Sequence, residues 1–258
     1  MARVFVTGSA DGLGLLAGRS LLENGHEVVL HARNPARAEE TRKRVAAAKA
    51  VVVGDLASLA QTRGLADQAN RLGPFDAVIH NAGVGYQEPR TQTEDGLPRV
   101  FAVNVLSFYV LTALVERPKR LVYMSSGMHR GADSSMEDVE WTKRRWRGAA
   151  AYAESKLCDV LLAFAVARRW PKVLSNAVDP GWVPTRMGGP GAPDDLDDGS
   201  RTQAWLAVSD DPAALVSGRY FHHLRPRDPD PACHDVSRQE KLLEICARLS
   251  GVALAVGS

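Results

Sequence analysis

Short runs of apolar residues recur along the chain and alternate with longer segments of helical periodicity. The short runs are rich in β-branched residues and apolar at consecutive positions, which indicates strands with both faces buried. Strands that alternate with helices in this way form parallel sheets with helices on either side. Seven strands are predicted, at residues 4–6, 28–30, 51–53, 77–79, 121–123, 173–178 and 217–221.

Helices are predicted in the intervening segments. Pro35 suits a helix start, and Gly25 and Gly73 lie where helices should end. No linker divides the chain, so the sequence predicts one α/β domain over residues 1–258, with a doubly wound parallel sheet of about seven strands. The longest irregular segments, about 127–149 and 182–200, follow strands, where such sheets place their active sites. The predicted helices are residues 13–24, 35–49, 58–72, 97–116, 150–170 and 239–249.

Composition adds little to this picture. The chain has 32 lysines and arginines against 30 acidic residues, a net charge of +2, which gives no reason to expect a nucleic-acid partner. Cys158, Cys233 and Cys246 are widely spaced, so neither a disulfide framework nor a metal site is predicted, and a cytoplasmic location is expected. No apolar run approaches the ~20 residues that span a bilayer, and no signal peptide precedes the first strand, so no membrane association is expected.

The stretch TGSADGLG, residues 7–14, lies between the first predicted strand and the first predicted helix. In this setting a glycine-rich turn can bind a dinucleotide, because glycines allow a tight turn and a close approach of the backbone to the pyrophosphate. The phosphates would then meet the free amides at the start of the helix. An ordinary strand-to-helix turn is the alternative. The residues predicted at this site are Gly8, Ser9, Asp11, Gly12, Leu13 and Gly14.

The spacing TGxxxGxG and the motifs that follow it resemble the short-chain dehydrogenase/reductase family. One motif alone would be weak evidence, but the set occurs in family order and covers nearly the whole chain. The long segment between the serines and the YAESK motif resembles the retinol-dehydrogenase-like branch. The resemblance implies a Rossmann fold and an NAD(P)-dependent oxidoreductase. The further motifs are GDL at 54–56, NAG at 81–83, Asn104, SS at 125–126, YAESK at 152–156 and DPGWVPT at 179–185.

The second strand ends in HAR, residues 31–33, without the acidic residue that holds the adenosine ribose in NAD-specific folds. Arg33 can hold a 2′-phosphate through paired hydrogen bonds, so NADP(H) is predicted, with NAD(H) as the alternative. His31 is predicted to add to this site. Arg33 could instead be a solvated surface residue, and Asp55 a helix N-cap, although Ser58 fits that position better. The resemblance implies further cofactor contacts from Asp55, Leu56, Asn81, Ala82, Gly83, Tyr152, Lys156, Pro180, Gly181, Val183 and Thr185.

Tyr152 and Lys156 are four residues apart and would share one face of a helix. Positive charge beside the phenol, from the lysine and an oxidised nicotinamide, would bring its pKa from ~10 toward the neutral range. The resemblance implies a catalytic tetrad with Ser126 and Asn104, with Ser125 as an alternative to Ser126. It also implies that Ser126 orients a carbonyl, Tyr152 transfers the proton, Lys156 holds the ribose, and Asn104 anchors a water that leads to solvent.

These residues predict an NADPH-dependent reductase of a ketone or aldehyde, or an enzyme that oxidises the corresponding alcohol. The retinol-dehydrogenase-like segment indicates a bulky, apolar substrate. Two alternatives are an NADP(H)-binding sensor without turnover and a sugar-nucleotide epimerase or dehydratase, which the glycine spacing disfavours. The resemblance further implies a homodimer or homotetramer that pairs through the helices containing Asn104 and Tyr152.

Other notable segments are predicted to be structural. KRRWR at 143–147 is expected in a solvated loop, GGPGAPDDLDDG at 188–199 in a mobile loop, and His222-His223 at the surface end of a strand. Three tryptophans in the irregular segments either wall a substrate pocket or pack against the scaffold: Trp141, Trp146 and Trp182.

Overall fold

One sheet of eight strands runs through the centre of the computed structural model, which describes residues 1–256. The strands are β1 (Arg3–Val6), β2 (Glu27–Ala32), β3 (Ala50–Val53), β4 (Ala77–His80), β5 (Arg120–Met124), β6 (Leu174–Asp179), β7 (Tyr220–His222) and β8 (Arg225–Arg227). Their order is β3-β2-β1-β4-β5-β6-β7-β8, and only the β7–β8 pair is antiparallel within the described residues. The order reverses at β1, because the chain runs outward from β1 to β3 and then returns to place β4 on the other side of β1. A crevice is therefore expected at the carboxyl ends of β1 and β4.

Helices fill the segments between the strands. They are α1 (Gly12–Glu23), α2 (Pro35–Arg44), α3 (Leu59–Asn70), α4 (Arg99–Phe101), α5 (Ser107–Leu114), α6 (Gly148–Arg169), α7 (Leu196–Val208) and α8 (Val236–Ser250). Several begin at a polar side chain that accepts a hydrogen bond from an amide of the first turn, which fixes the start of the helix. These caps are Asp11, Asn34, Ser58, Asp195 and Asp235. Among residues 1–256 no helix combines the length and apolar character needed to cross a membrane.

Helices cover both faces of the sheet. Successive strand side chains point to opposite faces, so Phe5 of β1 joins one core while Val4 and Val6 join the other. The core around Phe5 is completed by α3, α5, α6 and α8, and the other core by α1, α2 and α7. The consecutive apolar positions in the strands follow from this two-sided burial.

The predicted α/β class and doubly wound sheet are confirmed, and the seven predicted strands correspond to β1 through β7. The eighth strand is an addition. His223 and Leu224 join β7 to β8 with φ values of 46° and 64°, a two-residue hairpin turn that usually requires glycine or asparagine. The sequence therefore carries no hairpin signal here, and Pro226 in β8 also argues against a strand, except at a sheet edge.

One predicted helix is shorter in the structure, and one predicted loop contains part of a helix. The helix predicted at 35–49 ends at Arg44, because the amide of Lys49 already donates to the carbonyl of Val28 and joins the sheet. The segment predicted as a mobile loop, 188–199, contains the start of α7. Three of the aspartates in this segment indicate the start of a helix. Asp195 is the N-cap, and Asp197 and Asp198 in the first turn interact favourably with the helix dipole.

The helix predicted at 97–116 is interrupted. α4 passes through a π-helical turn, Ala102–Leu106, before α5 begins, and Asn104 is at the centre of this turn. Single π-helical turns inside α-helices are rare and occur frequently at functional sites. The turn changes the direction in which Asn104 projects relative to the rest of the helix.

The C-terminal part of the chain packs on the helices that carry Asn104 and Tyr152. Leu242, Leu243 and Cys246 of α8 lie in the same core as α6. The hydroxyl of Tyr109 on α5 donates to the carbonyl of Val252 at 2.9 Å and accepts from the Leu254 amide at 3.1 Å. The outer faces of α5 and α6 are thus covered by the chain's own residues.

We expect Asp195→Ala to lower the free energy of unfolding by about 0.5–2 kcal/mol, since the Asp195 carboxylate accepts from the amides of Asp197 (2.8 Å) and Asp198 (3.1 Å) at the start of α7. Chemical denaturation measures the change. Asp210→Ala is the matched control, because the Asp210 side chain is fully exposed and 3.6 Å from its arginine partner. An equal effect of the two substitutions would contradict the capping role.

Candidate active site

The glycine loop between β1 and α1 packs against the segment after β4 so tightly that side chains are excluded. A Cβ on Gly8 would lie 2.6 Å from the Cα of Ala82, and a Cβ on Gly14 would lie 2.4 Å from the Nδ2 of Asn81. Gly8 and Gly12 also have φ values of 61° and 54°, which favour glycine. The sequence motif thus reflects both backbone conformation and close approach.

Thr7, which the sequence reasoning leaves out of the predicted site, holds this contact in place. Its Oγ1 accepts from the amides of Asn81 (2.9 Å) and Ala82 (3.1 Å). In return the Asn81 Nδ2 donates to the carbonyls of Thr7 (3.0 Å) and Gly8 (3.2 Å). A threonine directly before the first glycine is the sequence signal for this role, since it brings a hydroxyl to the end of β1.

His31 lies buried beneath the glycine loop. Its Nδ1 accepts from the amide of Gly8 at 2.9 Å, and its Nε2 is 2.8 Å from the carbonyl oxygen of Gly54, to which it must donate. The ring is therefore the neutral Nε2–H tautomer, and burial lowers its pKa accordingly. The sequence predicts His31 at the ligand, but the structure places it as a support of the loop from below.

Ser9 is also turned inward. Its hydroxyl donates to the carbonyl of Val6 at 2.7 Å and accepts from the amide of His31 at 2.8 Å. Its own amide donates to the His31 carbonyl. Ser9 stays a prediction as a cofactor-binding residue, and the structure shows that its side-chain hydroxyl and its amide form hydrogen bonds within the loop.

The adenosine end of the predicted site contains two arginines. Arg33 is exposed directly after β2, in the predicted position. Arg37, in the first turn of α2, is an additional cation that the sequence analysis does not predict, although it follows Arg33 by only four positions. Its guanidinium lies 3.3 Å from the Asp11 carboxylate and 2.9 Å from that of Glu40. The beginning of α2 is thereby tied to the glycine loop.

Asp55 and Leu56 follow β3 at the same edge of the sheet. Asp55 is half-buried, and its carboxylate accepts from the amide of Ala57 at 2.9 Å, while Leu56 is buried. Ser58, and not Asp55, caps α3, with its hydroxyl 3.3 Å from the amide of Gln61. This agrees with the sequence argument and leaves Asp55 near the opening.

The segment after β6 crosses over the start of α1. Gly181 has a φ of 83°, and Thr185 lies 3.9 Å from the position of a Cβ on Gly12. Arg186 forms an ion pair at 2.9 Å with Asp11, which is the cap of α1. Val183 is buried against Gly199 of α7. The residues predicted in this segment, from Pro180 to Thr185, are thus brought to the glycine loop.

Tyr152 on α6 and Ser126 after β5 meet at the centre of the site. The phenol is buried, and the Ser126 side chain lies close enough to lower its pKa. Burial raises the pKa of Tyr152 despite the opposing effects of Lys156 and Ser126. The neighbouring Ser125 is occupied elsewhere, since its hydroxyl donates to the carbonyl of Lys156 at 2.8 Å. Of the two serines, only Ser126 faces the phenol.

His129 fixes the backbone at Ser126. Its Nε2 accepts from the amide of Asp230 at 3.0 Å, so its Nδ1 carries the proton and donates to the carbonyl of Ser126 at 2.8 Å. Burial lowers the pKa of His129, which favours this neutral form. The sequence reasoning missed His129, because its partner is about one hundred residues away in the chain.

Lys156 extends from α6 under the phenol. Its Nζ is 5.7 Å from the centroid of the Tyr152 ring and 3.9 Å from the position that a Cβ on Gly83 would occupy. It donates to the carbonyl of Met124 at 2.8 Å and to the carboxylate of Asp159 at 2.8 Å. The lysine therefore joins the end of β5 to α6 and lies beside the segment after β4.

Asn104 connects the same segment to α6. Its Oδ1 accepts from the amide of Val84 at 2.9 Å, and its Nδ2 donates to the carbonyl of Val84 (3.1 Å) and to the hydroxyl of Ser155 (3.0 Å). All polar atoms of this buried side chain are thus satisfied. The predicted tetrad, Asn104, Ser126, Tyr152 and Lys156, is brought together in the structure.

The tryptophans of segment 127–149 belong to the scaffold. Trp141 is buried and packs edge-to-face on Trp146 at 5.1 Å between centroids, and Arg144 stacks on Trp141 at 3.7 Å. Arg144 also forms an ion pair with Glu154 of α6. The cavity that these residues line is about 20 Å³, too small for an organic substrate. Trp182 is half exposed and bonded to the carbonyl of Gly188.

These residues fit a dinucleotide. The cradle at Gly8 and Gly14 admits no side chain, Gly12 opens toward the start of α1, and α1 presents free amides there. Tyr152 and Lys156 lie beyond this cradle on the Gly83 side. An extended ligand would thus reach from the arginines after β2 to the phenol.

The comparison with known proteins decides the family. The model of the short chain dehydrogenase family matches residues 2–195. The chain belongs to this family. It is accordingly a short-chain dehydrogenase/reductase oxidoreductase, as the sequence resemblance predicted.

Several relatives of this short-chain dehydrogenase are similar over their full length. An uncharacterized oxidoreductase of Emericella nidulans is 46% identical over 100% of both chains, and the short-chain dehydrogenase chry4 of Gibberella zeae is 41% identical over 98% of this chain and 99% of its own. Retinol dehydrogenase 13 of Mus musculus is 30% identical over 99% of this chain and 85% of its own.

Solved structures share the fold. An uncharacterized protein from Mycobacterium paratuberculosis is 26% identical, with a TM-score of 0.86 over 99% of this chain and 96% of that chain. A blue fluorescent protein from a metagenomic library, solved in complex with NADPH, is 22% identical, with a TM-score of 0.69 over 91% of this chain and 98% of that chain.

We expect His31→Gln to reduce the loss of stability of this dehydrogenase in acid. Because burial holds the pKa of His31 below the unfolded value of ~6.5, its neutral form stabilises the fold fully above that value. This contribution is lost as the pH falls toward the folded pKa, and glutamine cannot titrate. Unfolding free energies measured between neutral and mildly acidic pH test this. His234→Gln, at an exposed position, is the control. Parallel profiles for His31→Gln and the wild type would rule the effect out.

Proposed function

We propose that this enzyme reduces a ketone or aldehyde with NADPH, or oxidises the corresponding alcohol with NADP⁺. The observation that carries the proposal is the meeting of Ser126, Tyr152 and Lys156 beside Gly83, at the end of the glycine cradle. This arrangement provides a hydrogen-bond donor and a proton donor for one oxygen atom, next to a lysine that can reach a ribose.

Proton delivery is the task of Tyr152. Burial raises the pKa of its phenol, so the hydroxyl is protonated at neutral pH in the absence of other ligands. A protonated phenol can donate to the oxygen of a carbonyl as negative charge develops there. Reduction therefore requires the phenol, and oxidation the phenolate, which explains why one residue can serve both directions.

Ser126 positions the carbonyl. Its hydroxyl can donate a second hydrogen bond to the same oxygen, and His129 holds the backbone of this residue through the Ser126 carbonyl. When bound, the reduced nicotinamide supplies the hydride to the carbonyl carbon. In this proposal, Lys156 binds the ribose of the cofactor. Its ammonium also lowers the pKa of the neighbouring Tyr152 phenol.

The preference for NADP(H) rests on charge at the end of β2. Arg33 follows β2 and Arg37 lies in the first turn of α2, where the proposal puts a 2′-phosphate, and β2 ends in histidine and alanine instead of an acid. Guanidinium groups bind phosphate through charge-assisted hydrogen bonds, whereas a carboxylate would repel it. The blue fluorescent protein that shares this fold was solved in complex with NADPH, which supports the choice of NADP(H). NAD(H) is the weaker alternative.

The substrate is proposed to be a small-molecule carbonyl compound or alcohol. The similarity to retinol dehydrogenase 13 supports a bulky, apolar one. Trp141 and Trp146 do not contribute to this proposal, because they pack on each other and on α6. Tyr86, whose ring meets that of Tyr152 edge-on at 6.1 Å, and Met187, which lies against Gly85, are the better candidates for the wall of the substrate site.

A homodimer or homotetramer stays a prediction. The surface through which it would form is proposed to differ from the one that the resemblance implied. Pairing through α5 and α6 requires their outer faces, and in this chain α8 and residues 252–255 pack there. Arg168 and Arg169 of α6 are also paired with Glu240 of α8. We therefore propose that any oligomer forms through another surface.

We expect Tyr152→Phe to lower kcat for carbonyl reduction by at least about a hundredfold, because the proton donor is lost while the ring keeps its packing. NADPH consumption with a panel of ketones and aldehydes measures the change, and NADPH binding should persist. The control is Tyr109→Phe, which removes the hydroxyl that binds the C-terminal segment and should retain kcat. Tight NADPH binding without turnover of any compound by the wild type would favour the sensor alternative.

We expect Arg33→Ala and Arg37→Ala each to weaken NADPH binding by roughly tenfold to a hundredfold and to leave NADH binding nearly unchanged, since a hydrogen bond to a charged group contributes about 1.5–3 kcal/mol. Dissociation constants for both cofactors test this. Arg71→Ala, an exposed arginine after α3, is the control. A wild-type enzyme that binds both cofactors equally would contradict the role of these arginines.

A further inference from the structure

Lys156 does not face Tyr152 as an unpaired cation. Only about 3% of the residue is exposed, and two of its three N–H donors are used within the protein, on the Met124 carbonyl and the Asp159 carboxylate, each at 2.8 Å. Asp159 follows Lys156 by three positions on α6. Since residues three apart share a helix face, the sequence itself brings the carboxylate under the ammonium.

Asp159 is completely buried, which is unusual for a carboxylate. Its Oδ2 accepts from Lys156, and its Oδ1 has no hydrogen-bond partner among the described residues. Burial raises the pKa of Asp159 to about 7, with Lys156 acting in the opposite direction. A buried carboxylate with one unsatisfied oxygen lowers the stability of the fold, which points to a role for Asp159 other than packing.

Within residues 1–256, Lys156 is the one cation that acts on Asp159. Tyr123 of β5, Cys158 of α6 and Cys246 of α8 all feel the charge of Asp159, and burial raises the pKa of each, so these groups are neutral at physiological pH. The aromatic ring of Phe108 on α5 lies 5.9 Å from the ammonium. Asp179 of β6 faces Tyr152 and adds a second negative charge there.

We propose that Asp159 is a positioning residue that holds the ammonium of Lys156 and, by neutralising it, keeps Tyr152 in its protonated, proton-donating form. The inference rests on the proposed role of Tyr152 as the acid and deepens it. It gives a physical reason why carbonyl reduction would be retained at neutral and alkaline pH.

The electrostatic argument follows from the positions of the charges. An ammonium beside a phenol favours the phenolate, and an additional carboxylate disfavours it. With Asp159 present, the ammonium already has a counterion, so ionisation of Tyr152 would add a second negative charge to the group. Without Asp159, the phenolate of Tyr152 would be the counterion nearest to the ammonium on α6, and ionisation would become easier.

The consequence for the reaction has a definite sign. Reduction needs the phenol, so its rate is retained below the pKa of Tyr152 and lost as the pH rises through it. Removal of the Asp159 charge lowers this pKa, and the loss of reduction should begin at lower pH. Oxidation needs the phenolate, so its rate should rise at lower pH in the same variant.

The decisive experiment is a titration of Tyr152 in the cofactor-free protein, which requires no turnover. The ultraviolet absorbance of tyrosinate is followed against pH for the wild type and for Asp159→Asn, with the corresponding Tyr152→Phe proteins subtracted to isolate Tyr152. We expect Asp159→Asn to lower the pKa of Tyr152 by about one unit or more, the size of shift that a nearby charge produces. Asp159→Glu, which keeps the carboxylate, should titrate close to the wild type.

An unchanged or higher pKa in Asp159→Asn would overturn the proposal. If the asparagine variant does not fold, Asp159→Leu replaces the carboxylate by a neutral group of similar shape and is read in the same way. The wild type provides a further test, since a Tyr152 pKa at or below the ordinary tyrosine value would contradict the proposal without any change at 159. Failure of the proposed reductase activity would be seen separately, as absence of turnover with a normal Tyr152 titration.

Discussion

The close contact between the glycine loop and residues 81–82 is the constraint on which the rest of the site depends. Parallel strands bring their carboxyl ends to one edge of the sheet, but β1 and β4 bring their following segments so near that Gly8 and Gly14 have no room for a Cβ. Thr7 and Asn81 then close the gap with four hydrogen bonds. This junction places the cradle and Gly83, and Lys156 approaches Gly83 from α6.

Buried polar side chains connect elements that are distant in sequence through hydrogen bonds. Asn104 joins the segment after β4 to α6, Ser125 joins β5 to α6, and His129 joins the serine loop to residue 230. Each is fully or largely satisfied, so these polar groups stabilise the arrangement instead of weakening the core. The two neutral histidines, His31 and His129, depend on a particular tautomer, which links the geometry of the site to acid conditions.

Local patterns predicted the sheet, and the resemblance to a known family implied the tetrad. Consecutive apolar residues mark strands buried on two faces, and the ordered glycine, asparagine, serine and tyrosine motifs mark the edge where the strands end. The sequence did not predict that His31 faces inward, because that depends on which way the loop folds over β2. Nor did it find β8, whose turn uses His223 and Leu224 at positive φ. Asp159 is not among the predicted site residues, because an aspartate on a predicted helix is ordinarily a surface residue.

The packing of α8 on α6 has a consequence for the order in which the protein can assemble. Tyr109 and Val252 are far apart in sequence, yet their contact completes the core around α5. Contacts of such long range form late, because loop closure must precede them. During synthesis, the glycine loop and β1 to β4 can associate as soon as they emerge, while the apolar face of α6 stays uncovered until residues beyond 236 are available. The nascent chain would therefore expose α6 to chaperones and to aggregation for longer than the half that contains β1 to β4.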